Sequence, residues 1–142
     1  MGSKPYSIEL LFKALADRTR LRIINLIGGD EICVCFLVEV LNINQPKISR
    51  HLAYLRRAKV VTARREGKWM HYRIVEPPDQ HAASIFREVV TSVANDAEMQ
   101  RDRARLSQIC CATRLPIPLR KAPRPASFPV SKANPSGMRS VP

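Results

Sequence analysis

Four cysteines set the chemistry to look for. Cys33 and Cys35 are separated by one residue, and Cys110 and Cys111 are adjacent. A thiolate is a soft ligand, and thiophilic cations select it. Neither spacing suits the disulfide framework of a small secreted domain, so the thiols are expected to be reduced and the protein cytoplasmic. Residues two apart on a regular helix point to roughly opposite sides. Cys33 and Cys35 can therefore converge on one ion only if Cys33 precedes a helix and Cys35 lies in its first turn. There the helix N-terminus would lower the Cys35 pKa. Cys110 and Cys111, in a basic segment at the end of the last helix, are expected to form an accessible pair. One of them could supply a third thiolate, from either subunit.

A second constellation spans residues 44–59. Ile48, Leu52 and Leu55 recur at i, i+4, i+7 and make one apolar stripe. The opposite face carries Lys47, Arg50, Tyr54 and Arg57, with Gln45, Ser49 and His51 on its flanks. Asn44 can cap the helix, and Pro46 falls in the first turn, where a missing N–H costs nothing. Such a helix is held by its stripe and offers donors outward, as a helix entering the DNA major groove must.

Charge supports a polyanionic partner. The 142 residues carry a net charge of +12 with 45% apolar residues. Residues 44–75 hold nine basic side chains against Glu66 alone, and residues 112–142 hold six with no acid. The rest of the chain is slightly acidic, so the positive charge is segregated, and nucleic acid is the simplest partner. No stretch reaches the length of a membrane span, and no signal peptide is read, since Glu9 and Lys13 interrupt the first apolar run. No phosphate loop, Cys-x-x-Cys or Ser/His/Asp arrangement suggests an enzyme.

The elements that must position these residues follow in order. Ser7 and Asp17 can cap two helices, the second stopped at Gly28-Gly29 with Arg18, Arg20 and Arg22 alternating outward. Residues 31–35 read as a bridge or strand fragment, and residues 36–42 as a short helix leading by a tight turn into the helix above. That pair is a helix-turn-helix. Residues 60–75 read as a β-hairpin turning at Glu66-Gly67, with Arg64, Arg65 and Lys68 near its tip, a wing that touches DNA backbone or minor groove. Pro77-Pro78 precedes one long helix over 79–108, whose stripe of Ala82, Phe86, Val89, Val93 and Ala97 suits pairing with a second copy together with the first helix. The expected fold is mainly α with a small β-hairpin, a winged helix-turn-helix dimerising through its first and last helices. Residues 1–6 form a flexible lead, 7–109 the DNA-binding and dimerisation domain, and 110–142 the cysteine pair with a basic, Pro-rich, disordered tail.

The chain resembles the ArsR/SmtB family of bacterial metal-responsive repressors, in its arsenic-sensing branch. The likeness covers residues 11–74 and rests on four motifs in order. They are Leu15-Ala16-Asp17-Arg18-Thr19-Arg20-Leu21-Arg22-Ile23, Glu31-Ile32-Cys33-Val34-Cys35, Asn44-Gln45-Pro46-Lys47-Ile48-Ser49-Arg50-His51-Leu52, and Arg64-Arg65-Glu66-Gly67-Lys68-Trp69-Met70-His71-Tyr72-Arg73. The resemblance implies a homodimeric repressor on an imperfectly palindromic operator, with Gln45, Ser49, Arg50 and His51 at DNA-facing positions. It also implies a thiophilic inducer, trivalent arsenic or antimony, held by Cys33 and Cys35. Two departures stand out. Phe36 replaces the family's usual acid, and Val38 stands where many arsenic sensors carry a third cysteine. The zinc pattern of another branch opens at Asp79 and His81, but Ser92 and Asn95 stand where its later His and Glu would be. Cadmium, lead or zinc served by the same thiols, or a thiol redox switch, are the competing readings.

Overall fold

In the computed structural model, residues 5–112 and 115–127 are described. Two helices open the fold, α1 (Ile8–Leu15) and α2 (Arg18–Ile27), followed by strand β1 (Glu31–Cys33). Helices α3 (Val34–Leu41) and α4 (Gln45–Arg57) lead into the hairpin β2 (Val61–Glu66) and β3 (Trp69–Ile74), and then α5 (Gln80–Val93) and α6 (Ala97–Cys110). A 3-10 turn, Ile117–Leu119, follows.

Local chemistry explains the boundaries. Asp17 accepts the Arg20 N–H at 3.0 Å, and Asn44 accepts the Lys47 N–H at 3.0 Å. Both are caps that satisfy an orphan first-turn donor. Ser7 behaves differently: its hydroxyl donates to Glu9 at 2.8 Å rather than capping the backbone of α1. Asn42 ends α3 in the left-handed region (φ 56°), which makes the turn into α4 tight. The apolar stripe of α4 is as its spacing requires: Ile48, Leu52 and Leu55 are fully buried.

The sheet has three strands in the order β1-β3-β2, all antiparallel. The fragment at 31–33 is thus an edge strand of the wing sheet, with Cys33 opposite His71. Glu66 pairs with Trp69, so the two-residue turn is Gly67-Lys68, one residue later than Glu66-Gly67, and Gly67 takes the positive φ of 59°. That conformation is what glycine permits at a tight hairpin turn.

Two further expectations fail. The long helix over 79–108 is two helices, broken after Val93, because the Asp96 carboxylate accepts the Glu98 and Met99 N–H groups (2.9 and 3.2 Å) and starts a new one. Helix α6 then folds back on α2 and α3, fixed by Arg18 to Asp96 and Glu98 and by Arg22 to Asp102. Met99 and Leu106 are buried in that join. The tail is not disordered throughout: Leu115, Leu119 and Ala122 join the hydrophobic core, with the 3-10 turn against α3. Apolar residues spaced between the prolines give this segment something to bury. Residues 113–114 and 128–142 of the expected tail lie outside the described residues, as do 1–4 of the expected lead.

Candidate metal centre and nucleic-acid interface

The thiol pair sits where strand becomes helix. Cys33 ends β1 and is the extended N-cap of α3 (φ −72°, ψ 140°), and Cys35 is in the first turn. Their Sγ atoms are 2.8 Å apart, as free thiols. Cys33 is fully buried and Cys35 half-buried. The Cys35 hydrogen bond pulls the Cys33 thiol down to about 7, against the opposing effect of burial. The same bond, then burial and the charge on Cys33, pushes Cys35 up. The shared bond therefore favours one thiolate in the pair, its proton kept between the two sulfurs.

Cys110 and Cys111 do not form an accessible pair. Cys110, the last residue of α6, is fully buried, and burial pushes its thiol up to about 11. Cys111 is exposed. The Cys110 carbonyl accepts Arg124 at 2.8 Å. Among the described residues no three His, Cys, Asp or Glu side chains come together to hold a metal. Among the described residues of one chain, then, neither Cys110 nor Cys111 joins Cys33 and Cys35 in a group of three.

The outer face of α4 keeps Gln45, Lys47, Ser49, Arg50 and Arg57 exposed. His51 and Tyr54 are half-buried instead, both under Arg20, whose guanidinium lies 4.3 Å from the Tyr54 ring centroid. Arg57 approaches the same ring at 5.2 Å. On the wing, Arg65 donates to the Gly67 carbonyl at 3.0 Å, and Lys68 lies 5.2 Å from the Trp69 ring. Arg64 is exposed but engaged by Glu31, with Nη2–Oε1 at 2.7 Å and Nε–Oε2 at 3.1 Å. His71 is buried and meets Glu66 at 2.9 Å, a structural rather than a DNA-facing position.

Sequence reasoning missed Arg20, Glu31 and the α2–α6 ion pairs. Arg18, Arg20 and Arg22 alternate as a solvated face would. The available signal was the cluster Asp96, Glu98 and Asp102, whose spacing matches Arg18 and Arg22 across two helices.

The family model for bacterial regulatory proteins of the arsR family matches residues 17–63, from the cap of α2 through α4 into β2. The arsenic resistance transcriptional regulator ArsR1 of Pseudomonas putida is 42% identical over 101 residues, 70% of this chain and 77% of that protein. The arsenical resistance operon repressor of Escherichia coli is 49% identical over 79 residues, 55% of this chain and 68% of that protein. Among solved structures, the AntR antimony-specific transcriptional repressor is similar with a TM-score of 0.50 and 25% identity, over 71% of this chain and 92% of that one. Regulators of this family act by binding DNA and are not enzymes. A helix-turn-helix with an exposed basic face, a three-stranded wing and this extent of identity together establish that the chain belongs to the arsR family of bacterial regulatory proteins.

Proposed function

We propose that the protein is a homodimeric repressor, cytoplasmic, released from its operator when trivalent arsenic, or antimony, is captured by Cys33 and Cys35. The observation that carries this is the pair of sulfurs 2.8 Å apart at the mouth of α3, one of them held as thiolate near neutral pH. Trivalent arsenic suits three thiolates, so a third comes from Cys110 or Cys111 of a second copy or from an exogenous thiol. Dimerisation would use α1 and α5, where Phe12 is exposed and Ile85, Val89 and Val90 are only partly buried.

The mechanism is linkage. An ion drawing Cys33 and Cys35 into its own geometry shifts the β1–α3 junction. Helix α3 packs on α4, so the recognition helices turn out of register with the grooves. Ion and DNA then weaken each other by the same factor. Two recognition helices would read major grooves one turn apart, roughly 34–36 Å, on an imperfect palindrome. Gln45, Lys47, Ser49, Arg50, His51, Tyr54 and Arg57 are the α4 contribution, and Arg64, Arg65 and Lys68 that of the wing.

The test is fluorescence anisotropy of labelled operator with the full chain, titrated with arsenite, antimonite, cadmium, lead and zinc. Arsenite or antimonite should release DNA, and Cys33→Ser with Cys35→Ser should not respond. Release by arsenite from that double variant refutes the reading, and release by cadmium alone supports the divalent alternative. Loss of response in Cys110→Ser or Cys111→Ser identifies the third ligand. Two ions per subunit in a calorimetric titration would point to separate two-thiolate sites.

A further inference from the structure

The geometry points to Arg20 as a positioning residue for DNA recognition, one that holds His51 of α4 as the neutral ring protonated on Nε2. Helix α1 ends at Leu15 and leaves carbonyls without intrahelical donors. Arg20, on the next helix, fills that gap: Nε donates to the Ala14 carbonyl at 2.8 Å and Nη2 to the Lys13 carbonyl at 3.0 Å. The guanidinium is thereby fixed in plane and position. Its one face lies over Tyr54, and its remaining nitrogen, Nη1, is 3.3 Å from His51 Nδ1.

A guanidinium can only donate. For that hydrogen bond to exist, Nδ1 must accept, and the proton of the neutral ring must be on Nε2. The alternative partner is Asp17, whose Oδ2 is 3.7 Å from Nδ1 and already accepts the Arg20 N–H at 3.0 Å. The charged groups acting on the imidazole are Asp17, the cap of α2, Arg20 of α2, and Lys47 and Arg50 of α4, and α1 contributes the two carbonyls that anchor Arg20. Burial holds the ring below the usual histidine range. Asp17 pulls the other way, and the three cations add to burial. His51 therefore offers DNA one uncharged N–H donor of fixed direction, suited to a phosphate oxygen or to a guanine acceptor. Arg20 also lies over the Tyr54 ring at 4.3 Å, and Arg57 approaches that ring at 5.2 Å.

This inference assumes that α4 enters the groove, but its central claim is readable without DNA. The experiment is an imidazole nitrogen–proton correlation spectrum of the full-length protein, nitrogen-15 labelled, at neutral pH. His51→Gln assigns the His51 signals among the three histidines. The wild type should show an acceptor-type Nδ1 and a protonated Nε2. Arg20→Lys, which lacks the planar fork, should average the two nitrogens or move the proton to Nδ1. Operator binding by Arg20→Lys should be about tenfold weaker at pH 8, the worth of one well-placed donor. It should recover as the pH falls and the ring charges. Wild-type binding should change little over the same range. Adding His51→Gln to Arg20→Lys should abolish that pH dependence. A wild-type ring protonated on Nδ1, or charged at neutral pH, overturns the proposal even if Arg20→Lys fails to fold. An unchanged His51 spectrum in a folded Arg20→Lys does so too. Failure of Arg50→Ala to weaken operator binding, with the tautomer as stated, would instead sink the placement of α4.

Discussion

Replacing Asp102 by alanine should cost about 2–3 kcal/mol of stability, a figure that follows from its surroundings. Asp102 takes two charge-assisted bonds from Arg22, Nε–Oδ2 at 2.8 Å and Nη2–Oδ1 at 2.9 Å. Its side chain is 7% exposed and that of Arg22 20%. Removing one partner of a buried pair typically costs about 3–5 kcal/mol, because the other charge stays behind. Here Arg22 retains some water, and Glu98 is 3.5 Å from Nη1, so part of the loss is recovered. The melting temperature of a domain this size should fall by roughly 10 °C. Urea denaturation at one fixed protein concentration is the assay, since self-association would otherwise shift the midpoint. The double variant Arg22→Met with Asp102→Leu should lose less than Asp102→Ala, because no unpaired charge remains. A Asp102→Ala protein within about 0.5 kcal/mol of wild type would refute the claim that this pair holds α6 to α2.

Other consequences can be measured independently. Folding favours the Cys33 thiolate, with its pKa drawn down to about 7, so this group's contribution to stability is fully present above the unfolded value of about 8.5 and is lost as pH falls through 7. Thiolate absorbance should show that step near pH 7, and Cys33→Ser should lack it. Glu31→Gln releases Arg64 from its carboxylate, so operator binding should tighten a few-fold and its salt dependence should steepen by about one phosphate contact. An unchanged salt slope would place Arg64 away from DNA. Asn44→Ala removes the cap of α4 and should cost about 1 kcal/mol in denaturation while weakening DNA binding at a given temperature.

The helix-turn-helix was readable because its determinants are local. Asn44 caps what it precedes, and Ile48, Leu52 and Leu55 repeat at helical spacing. The convergence of Cys33 and Cys35 was also readable, since helix geometry left only the strand-to-helix junction for it. What escaped was nonlocal. The break at Asp96 wins over a continuous stripe because α6 finds α2, nearly 80 residues earlier, to pair with. Arg20 reads as one of three outward arginines until α1 ends beside it. Cys110 reads as accessible until Leu115, Leu119 and Ala122 are seen to enter the core. A proline-rich, basic composition signals disorder, yet it does not weigh the few apolar residues placed to reach a surface.

One carboxylate ties the loop before β1 to the segment at Ala126 and Ser127. Asp30 Oδ1 receives the Glu31 N–H at 3.0 Å and the Ala126 N–H at 3.1 Å, and Oδ2 receives the Ser127 N–H at 2.8 Å. A chain cut after Ala112 would keep the whole winged domain but would lose two of those three donors. It would also leave the Cys110 carbonyl without Arg124. The loop that delivers Cys33 to its helix is thus moored by a segment 96 residues downstream, beyond the 17–63 stretch that the family model matches. Shortened versions of this protein would carry a looser thiol junction than the intact one.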